Sequence, residues 1–224
     1  TNNKMEHSRI IVEAEQRSPE WHAARLGLFT SSEIYKLMSD PKKKTEVLSE
    51  GAKTYIMQKV AESLTGIVEE VPVNKAMQWG VDNEPLAKQW LSKMHNFEII
   101  ETKFIYIEGM NYGGSSDGWI REIDSALEVK CLNTANHLTE IRCAESVESI
   151  RQNLSNRYWQ ITSDAYLRNA SKCTLCWFDS RVPNDFGLFT KTWDIVPADV
   201  ELMLSKIKLA NDYFHEQLEY FTKF

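Results

Sequence analysis

Hydrophobic positions alternate between two periods along the chain, and the switches between them outline the fold. From Leu48 to Leu64 apolar residues recur at helical spacing, with Tyr55, Ile56, Val60 and Leu64 on one face and Gly66 as a stop. Lys75 to Met94 predicts a long helix with Trp79, Leu86, Ala87, Trp90 and Leu91 as core positions. Glu84 falls among them and is awkward if it points inward unpaired. Arg157 to Arg168 predicts another helix on which Tyr158, Ile161, Ala165 and Tyr166 pack, with Gln160 on a different face. A last helix begins at Pro197-Ala198-Asp199 and runs through Val200, Leu204, Ile207, Leu209 and Phe214. Strand-like runs lie at Ile10 to Glu13 (a short edge strand or a stretch along the surface), Phe97 to Ile107, Lys172 to Phe178 and Leu188 to Val196.

Capping chemistry fills in the shorter elements. Ser18-Pro19 is a helix start with a hydroxyl cap and proline at the first position, and Gly27 suits its end. Thr30-Ser31-Ser32-Glu33 reads as a capping box opening a helix through Ile34, Leu37 and Met38. Val71-Pro72-Val73 is a connector, and residues 133–156 are polar with two short helical stretches around His137 to Cys143 and Val147 to Leu154. Helices, a strand group, a helix, two strands and a final helix predict one α/β (α+β) domain, a central mixed sheet flanked by helices.

Composition narrows the class. At 224 residues and 42% hydrophobic content the chain can bury a sizeable core. It has no apolar run of bilayer-spanning length and no signal-peptide pattern, so a soluble cytoplasmic protein without a membrane partner is expected. A net charge of -6 argues against a generally basic nucleic-acid coat but leaves room for a basic groove. The run Lys42-Lys43-Lys44 is a solvated face or a contact for a phosphate backbone. Cys131, Cys143, Cys173 and Cys176 form no secreted disulfide framework, and Cys173 and Cys176 on one strand face opposite ways, unlike a zinc pair. His7, His22, His95, His137 and His215 are scattered without metal spacing.

Candidate chemistry gathers at Ser116-Asp117-Gly118-Trp119-Ile120 followed by Leu127-Glu128-Val129-Lys130-Cys131. Ser-Asp-Gly is a turn signature, and the polar turn Arg121 to Ser125 joins two short strands. On the second strand Glu128 and Lys130 leave one face while Val129 points into the core. A hairpin brings Asp117 beside them, giving two carboxylates and an ammonium at one spot. Buried together, two acids need a cation or hydrogen bonds in compensation, and magnesium suits them because it takes oxygen ligands and keeps several waters. Lys130 would then hold the attacking water. A strand pair with a surface salt bridge has the same spacing.

These residues also carry a family resemblance. Asp117, then Glu128-x-Lys130 on a hairpin, resembles the core of the PD-(D/E)XK nuclease superfamily. Trp21-His22-Ala23-Ala24-Arg25-Leu26-Gly27 with Thr30-Ser31-Ser32-Glu33, Trp79-Gly80-x-x-x-Glu84-x-x-Ala87, and Gln160 on a later helix occur in the order of the phage lambda exonuclease (YqaJ-like viral recombinase) family. Where that family often has Ser-Pro-Asp-Gly, Ser116 replaces the proline, which changes a turn and not a ligand. The resemblance implies a restriction-endonuclease-like core and a magnesium-dependent 5′→3′ exonuclease acting on double-stranded DNA ends, with manganese as a substitute. It implies that Asp117, Glu128, the carbonyl of Val129 and Glu84 hold metal, and that Lys130 orients the water. Gln160 would sit near the active centre, and Arg25 and Ser32 would bind the terminal 5′-phosphate. It further implies a ring-shaped homotrimer, a single-strand annealing protein as partner, and a phage or prophage origin in a bacterial host. Read from the residues alone, Arg25 in a salt bridge, Ser32 as a cap, and Glu84 and Gln160 facing solvent are the ordinary alternatives. Another PD-(D/E)XK nuclease, RecB-like or Cas4-like, and a non-catalytic DNA-end-binding recombination protein are the rival functions.

Overall fold

The computed structural model describes residues 8–16, 18–68 and 74–223, so His7 and the connector Val71-Pro72-Val73 lie outside the described residues. In chain order come β1 (Arg9–Val12), α1 (Pro19–Arg25), β2 (Phe29–Thr30), a 3-10 helix (Ser31–Leu37), α2 (Glu50–Thr65), α3 (Lys75–His95), β3 (Ile99–Ile100), β4 (Phe104–Ile107) and β5 (Tyr112–Gly114). Then follow β6 (Gly118–Ile120), β7 (Ser125–Lys130), α4 (Thr134–Cys143), α5 (Val147–Asn153), α6 (Ser155–Arg168), β8 (Lys172–Phe178), β9 (Leu188–Asp194) and α7 (Pro197–Thr222). None of these helices is long and apolar enough to cross a membrane. Two compact units result: Thr1–Glu69 with Lys103–Ser115 and Ala198–Phe224, and Glu70–Thr102 with Ser116–Pro197.

The first unit holds a mixed sheet in the order β1-β4-β5-β2, antiparallel except where β2 runs parallel to β5. β1 lies at its edge, the first of the two placements its sequence allows. Phe29 meets Tyr55 of α2 and Phe214 of α7 at ring distances of 5.8 and 6.1 Å, so one aromatic cluster ties sheet to helices. The cap at Ser18 forms as read, its hydroxyl accepting the Trp21 amide, and Ser49 caps α2 in the same way through the Ala52 amide. Gly66 ends α2 in the left-handed conformation. Thr30 to Glu33 departs from expectation. The segment is a 3-10 helix whose N-cap residue, Thr30, makes no side-chain cap bond, and Glu33 is drawn to Lys36 at 2.5 Å instead of reaching back. Leu64 and Leu209 are also exposed, each beyond the stripe its helix buries. Lys42, Lys43 and Lys44 lie exposed, with Lys43 3.6 Å from Glu46.

The second unit holds a mixed sheet in the order β3-β6-β7-β8-β9, in which β7 and β8 alone run parallel. A parallel pair needs a long crossover, and α4, α5 and α6 supply it. The stretch Phe97 to Ile107 is therefore not one strand: Glu101-Thr102-Lys103 interrupts it, β3 pairs with β6, and β4 joins the other sheet. α3 offers the sheet only a narrow stripe. Ala87 and Leu91, one turn apart, pack with Leu127, Val129, Cys176 and Phe178. Each such buried aliphatic side chain contributes about 1.5–3 kcal/mol. Leu86 and Trp90 fall outside that stripe at 36% and 42% exposure, although the Trp90 ring still meets Phe178 edge-on at 5.4 Å.

The candidate active site on the second sheet

Asp117 and Glu128 face each other across β6 and β7 because the register pairs Gly118 with Leu127. The Asp117 amide donates to the Leu127 carbonyl at 3.0 Å, and Asp117 Oδ2 accepts the Val129 amide at 2.7 Å. That second bond fixes the carboxylate and leaves Oδ1 available to a ligand. Asp117 is the bend that leads from β5 into β6, and Gly118 beside it is the first residue of that strand. Glycine is needed because a Cβ would stand 2.7 Å from Ile99 Cγ2.

Glu128, Lys130 and Gln160 close a ring of hydrogen bonds. Lys130 Nζ donates to Glu128 Oε1 at 2.5 Å and to Gln160 Oε1 at 3.1 Å, and Gln160 Nε2 donates to Glu128 Oε1 at 2.6 Å. Gln160 is buried, since α6 is covered on nearly all sides from Tyr158 to Ala165. This is no exposed salt bridge. Glu128 is only 3% exposed, and its Oε2 is buried with no hydrogen-bond partner. A buried carboxylate oxygen left unsatisfied costs about 1–3 kcal/mol, so the position suits a cation or its water.

Charge points the same way. Burial first, then the charges of Glu128 and Glu84, hold the Asp117 carboxyl well above its ordinary range, while Lys130 and the Val129 amide pull it back. Burial also raises Glu128, against the opposing pull of Lys130 and with the charge of Asp164 adding to the rise. Glu84 Oε1 lies 2.8 Å from Lys88 Nζ, which also reaches Glu101 at 3.3 Å. Lys88 went unread in the sequence, though its place four residues after Glu84 on a helix was a usable signal. Cys131, the next residue after Lys130, is a buried free thiol pushed up to about 12 chiefly by burial. Among the described residues no group of three or more His, Cys, Asp or Glu side chains is placed to hold a metal. The site thus offers two facing carboxylates in place of a full protein cage. Magnesium, which keeps most of its own waters, fits that donor set.

This electrostatic state has a measurable consequence. Because its folded pKa is raised, Asp117 stabilises the fold below its unfolded pKa, and that contribution is lost as pH rises through the raised value. Asp117→Asn keeps an oxygen for the Val129 amide and removes the charge. In chelator, the variant is expected to melt higher than wild type at pH 8 and to lose that advantage towards pH 4, by thermal unfolding. A wild type that melts higher at pH 8 would contradict the electrostatic reading.

In the first unit, Arg25 at the end of α1 lies over the Trp21 ring at 4.1 Å and the Phe104 ring at 5.5 Å. Ser32 is exposed, with its hydroxyl 3.3 Å from that of Thr30. The seven-residue 3-10 helix removes the expected α-helix terminus from this spot. What remains is a guanidinium over two aromatic rings and, on the 3-10 helix, an exposed hydroxyl.

The fold is that of a class of exonucleases known from crystal structures. The chain aligns over 92% of its length with 97% of an alkaline exonuclease (LHK-Exo) from Laribacter hongkongensis, at 22% identity and a TM-score of 0.77. The complex of that enzyme with dAMP aligns with a TM-score of 0.79. A phage related exonuclease from Haemophilus somnus 129PT aligns over 87% of this chain and 96% of its own, at 13% identity and a TM-score of 0.70. The model of the YqaJ-like viral recombinase domain matches residues 20–168, and the chain belongs to that family. Comparison with curated protein sequences gives no significant match.

Proposed function

We propose that this protein is a magnesium-dependent exonuclease that degrades one strand of double-stranded DNA in the 5′→3′ direction from its ends, leaving single-stranded overhangs for phage-type recombination. The observation that carries the reading is the constellation of half-buried Asp117 and Lys130 with buried Glu128 and Gln160, just before β6, on β7 and on α6, in a chain of the YqaJ-like family. That relatives of the same fold are described as exonucleases, one of them crystallised with dAMP, supports it.

Asp117 and Glu128, with the Val129 carbonyl, would hold magnesium, or manganese in its place, and Glu84 would reach it through water. Bound there, the ion supplies Lewis-acid stabilisation of the charge that develops on the phosphate. Lys130 orients the attacking water, because its ammonium is already fixed by Glu128 and Gln160 and need not reorganise. Gln160 holds the carboxylate and the ammonium at one mutual distance. The chain acts as one exonuclease domain, assembles as a homotrimer around the DNA, and works with a single-strand annealing protein in the cytoplasm of a bacterial host.

End recognition falls to Arg25 and Ser32, which would bind the terminal 5′-phosphate. A guanidinium stacked on Trp21 loses little freedom on binding a phosphate, and such charge-assisted bonds are strong. Blunt duplex with a 5′-phosphate should be degraded faster than duplex with a 5′-hydroxyl, and Arg25→Ala should reduce that ratio by about ten- to a hundredfold, the size of one charged hydrogen bond. Ser32→Ala should act in the same direction more weakly. Initial rates at one fixed salt concentration check this, because phosphate contacts weaken as salt rises. Equal rates on both ends for wild type would sink the assignment.

A further inference from the structure

One buried charge network in the first unit takes no part in hydrolysis. α2 carries Tyr55, Lys59 and Glu62 at helical spacing, so all three leave the helix as one stripe. Tyr55 is 2% exposed and Lys59 7%, and Glu62 is nearly as enclosed. Taking an ammonium and a carboxylate out of water is expensive, and an apolar set of the same volume is often at least as stable. Stability alone is therefore a weak account of this stripe.

Its polar atoms hold backbone. Glu62 Oε2 accepts the Gly27 amide at 3.1 Å, and the Tyr55 hydroxyl oxygen accepts the Thr30 amide at 3.2 Å. Lys59 Nζ donates to Glu62 Oε1 at 2.8 Å and lies 3.8 Å from Glu33 Oε2. Glu33 is bonded in turn to Lys36, and the ammonium groups of Lys36 and Lys59 lie 4.9 and 5.5 Å from the centre of the Tyr55 ring. Gly27 is required for this approach: its φ is +72°, and a Cβ would stand 2.1 Å from Ser63 Oγ. The three anchored points are Gly27, Thr30 and Glu33. They span the chain from Gly27, two residues after Arg25, to Glu33, directly after Ser32.

We propose that Tyr55, Lys59 and Glu62 are positioning residues for DNA-end recognition: they fix the backbone from Gly27 to Glu33 so that Arg25 and Ser32 present one geometry to a terminal phosphate. The inference rests on the reading of Arg25 and Ser32 as the phosphate-binding pair. It makes the specificity of the protein for phosphorylated ends a property of α2, which carries neither residue.

The test compares initial rates with magnesium on blunt duplexes bearing a 5′-phosphate or a 5′-hydroxyl, for wild type, Tyr55→Phe, Glu62→Gln and Glu62→Ala. The readout is the ratio of the two rates. A loss of folded enzyme scales both rates alike and leaves the ratio untouched, so a merely structural role does not move it. The ratio is expected to fall about three- to tenfold in Tyr55→Phe and Glu62→Ala, the worth of one lost hydrogen bond. It should fall less in Glu62→Gln, whose amide oxygen still accepts the Gly27 amide. A wild-type ratio above one that all three variants retain overturns the positioning role and leaves the phosphate pair standing. A wild-type ratio of one overturns the phosphate pair, and the positioning role with it.

Discussion

Lys130→Ala is expected to lower the hydrolytic rate by about a thousandfold, within the range set by removing a positioned proton-handling or water-orienting group. The ammonium sits between Glu128 and Gln160, so its loss should fall on the chemical step. The variant also leaves Glu128 with one fewer compensating charge in a buried position, which lowers stability. Circular dichroism and a melting curve with magnesium present separate the two effects. Lys130→Arg keeps the charge but replaces a point donor with a planar fork, and should restore the melting temperature without restoring the rate. Duplex binding measured by fluorescence anisotropy should persist in both variants. Hydrolysis by Lys130→Ala at near the wild-type rate would remove Lys130 from the mechanism.

Metal removal is the second large effect. With excess chelator, hydrolysis should fall to background, and added magnesium or manganese should restore it. Calcium should restore binding of duplex ends without cleavage, because its longer bonds and loose geometry place the water poorly. The physical ground is the pair of facing acids: Asp117 is held well above its ordinary range by burial and by the Glu128 and Glu84 charges, and Glu128 Oε2 is buried without a partner. A divalent cation relieves both. Calcium should therefore also raise the melting temperature of wild type, and it should do so less for Asp117→Ala. Full activity in chelator would be incompatible with a carboxylate-held metal.

The hairpin was legible because its signals are local. Strand alternation puts Glu128 and Lys130 on one face, and the short turn between β6 and β7 decides that Asp117 lies opposite. The setting of Gln160 was not legible. Its helix reads as amphipathic, whereas the second unit covers α6 on nearly every side, and only tertiary packing makes the amide a buried partner. Leu86 and Trp90 show the reverse case, apolar residues left largely outside because the buried stripe of α3 is centred on Ala87 and Leu91. The capping box at Thr30 failed for a related reason. Glu33 had competing partners in Lys36 and Lys59, and Lys59 lies far along the sequence on another helix. For the same cause the stripe of Tyr55, Lys59 and Glu62 was read only through its apolar member. A charged residue is placed in solvent by default, and nothing near Lys59 in sequence reveals Gly27 or Thr30 as the groups its stripe holds.

The central claim is directional hydrolysis of duplex ends, and end-labelled DNA tests it most directly. Linear duplex carrying a label at either the 5′ or the 3′ end of one strand is incubated with the protein, with magnesium or with chelator. The account predicts release of the 5′ label as mononucleotide at the earliest times, retention of the 3′ label on progressively shorter strands, and no release in chelator. Earliest release of the 3′ label, or equal release in chelator, would contradict it.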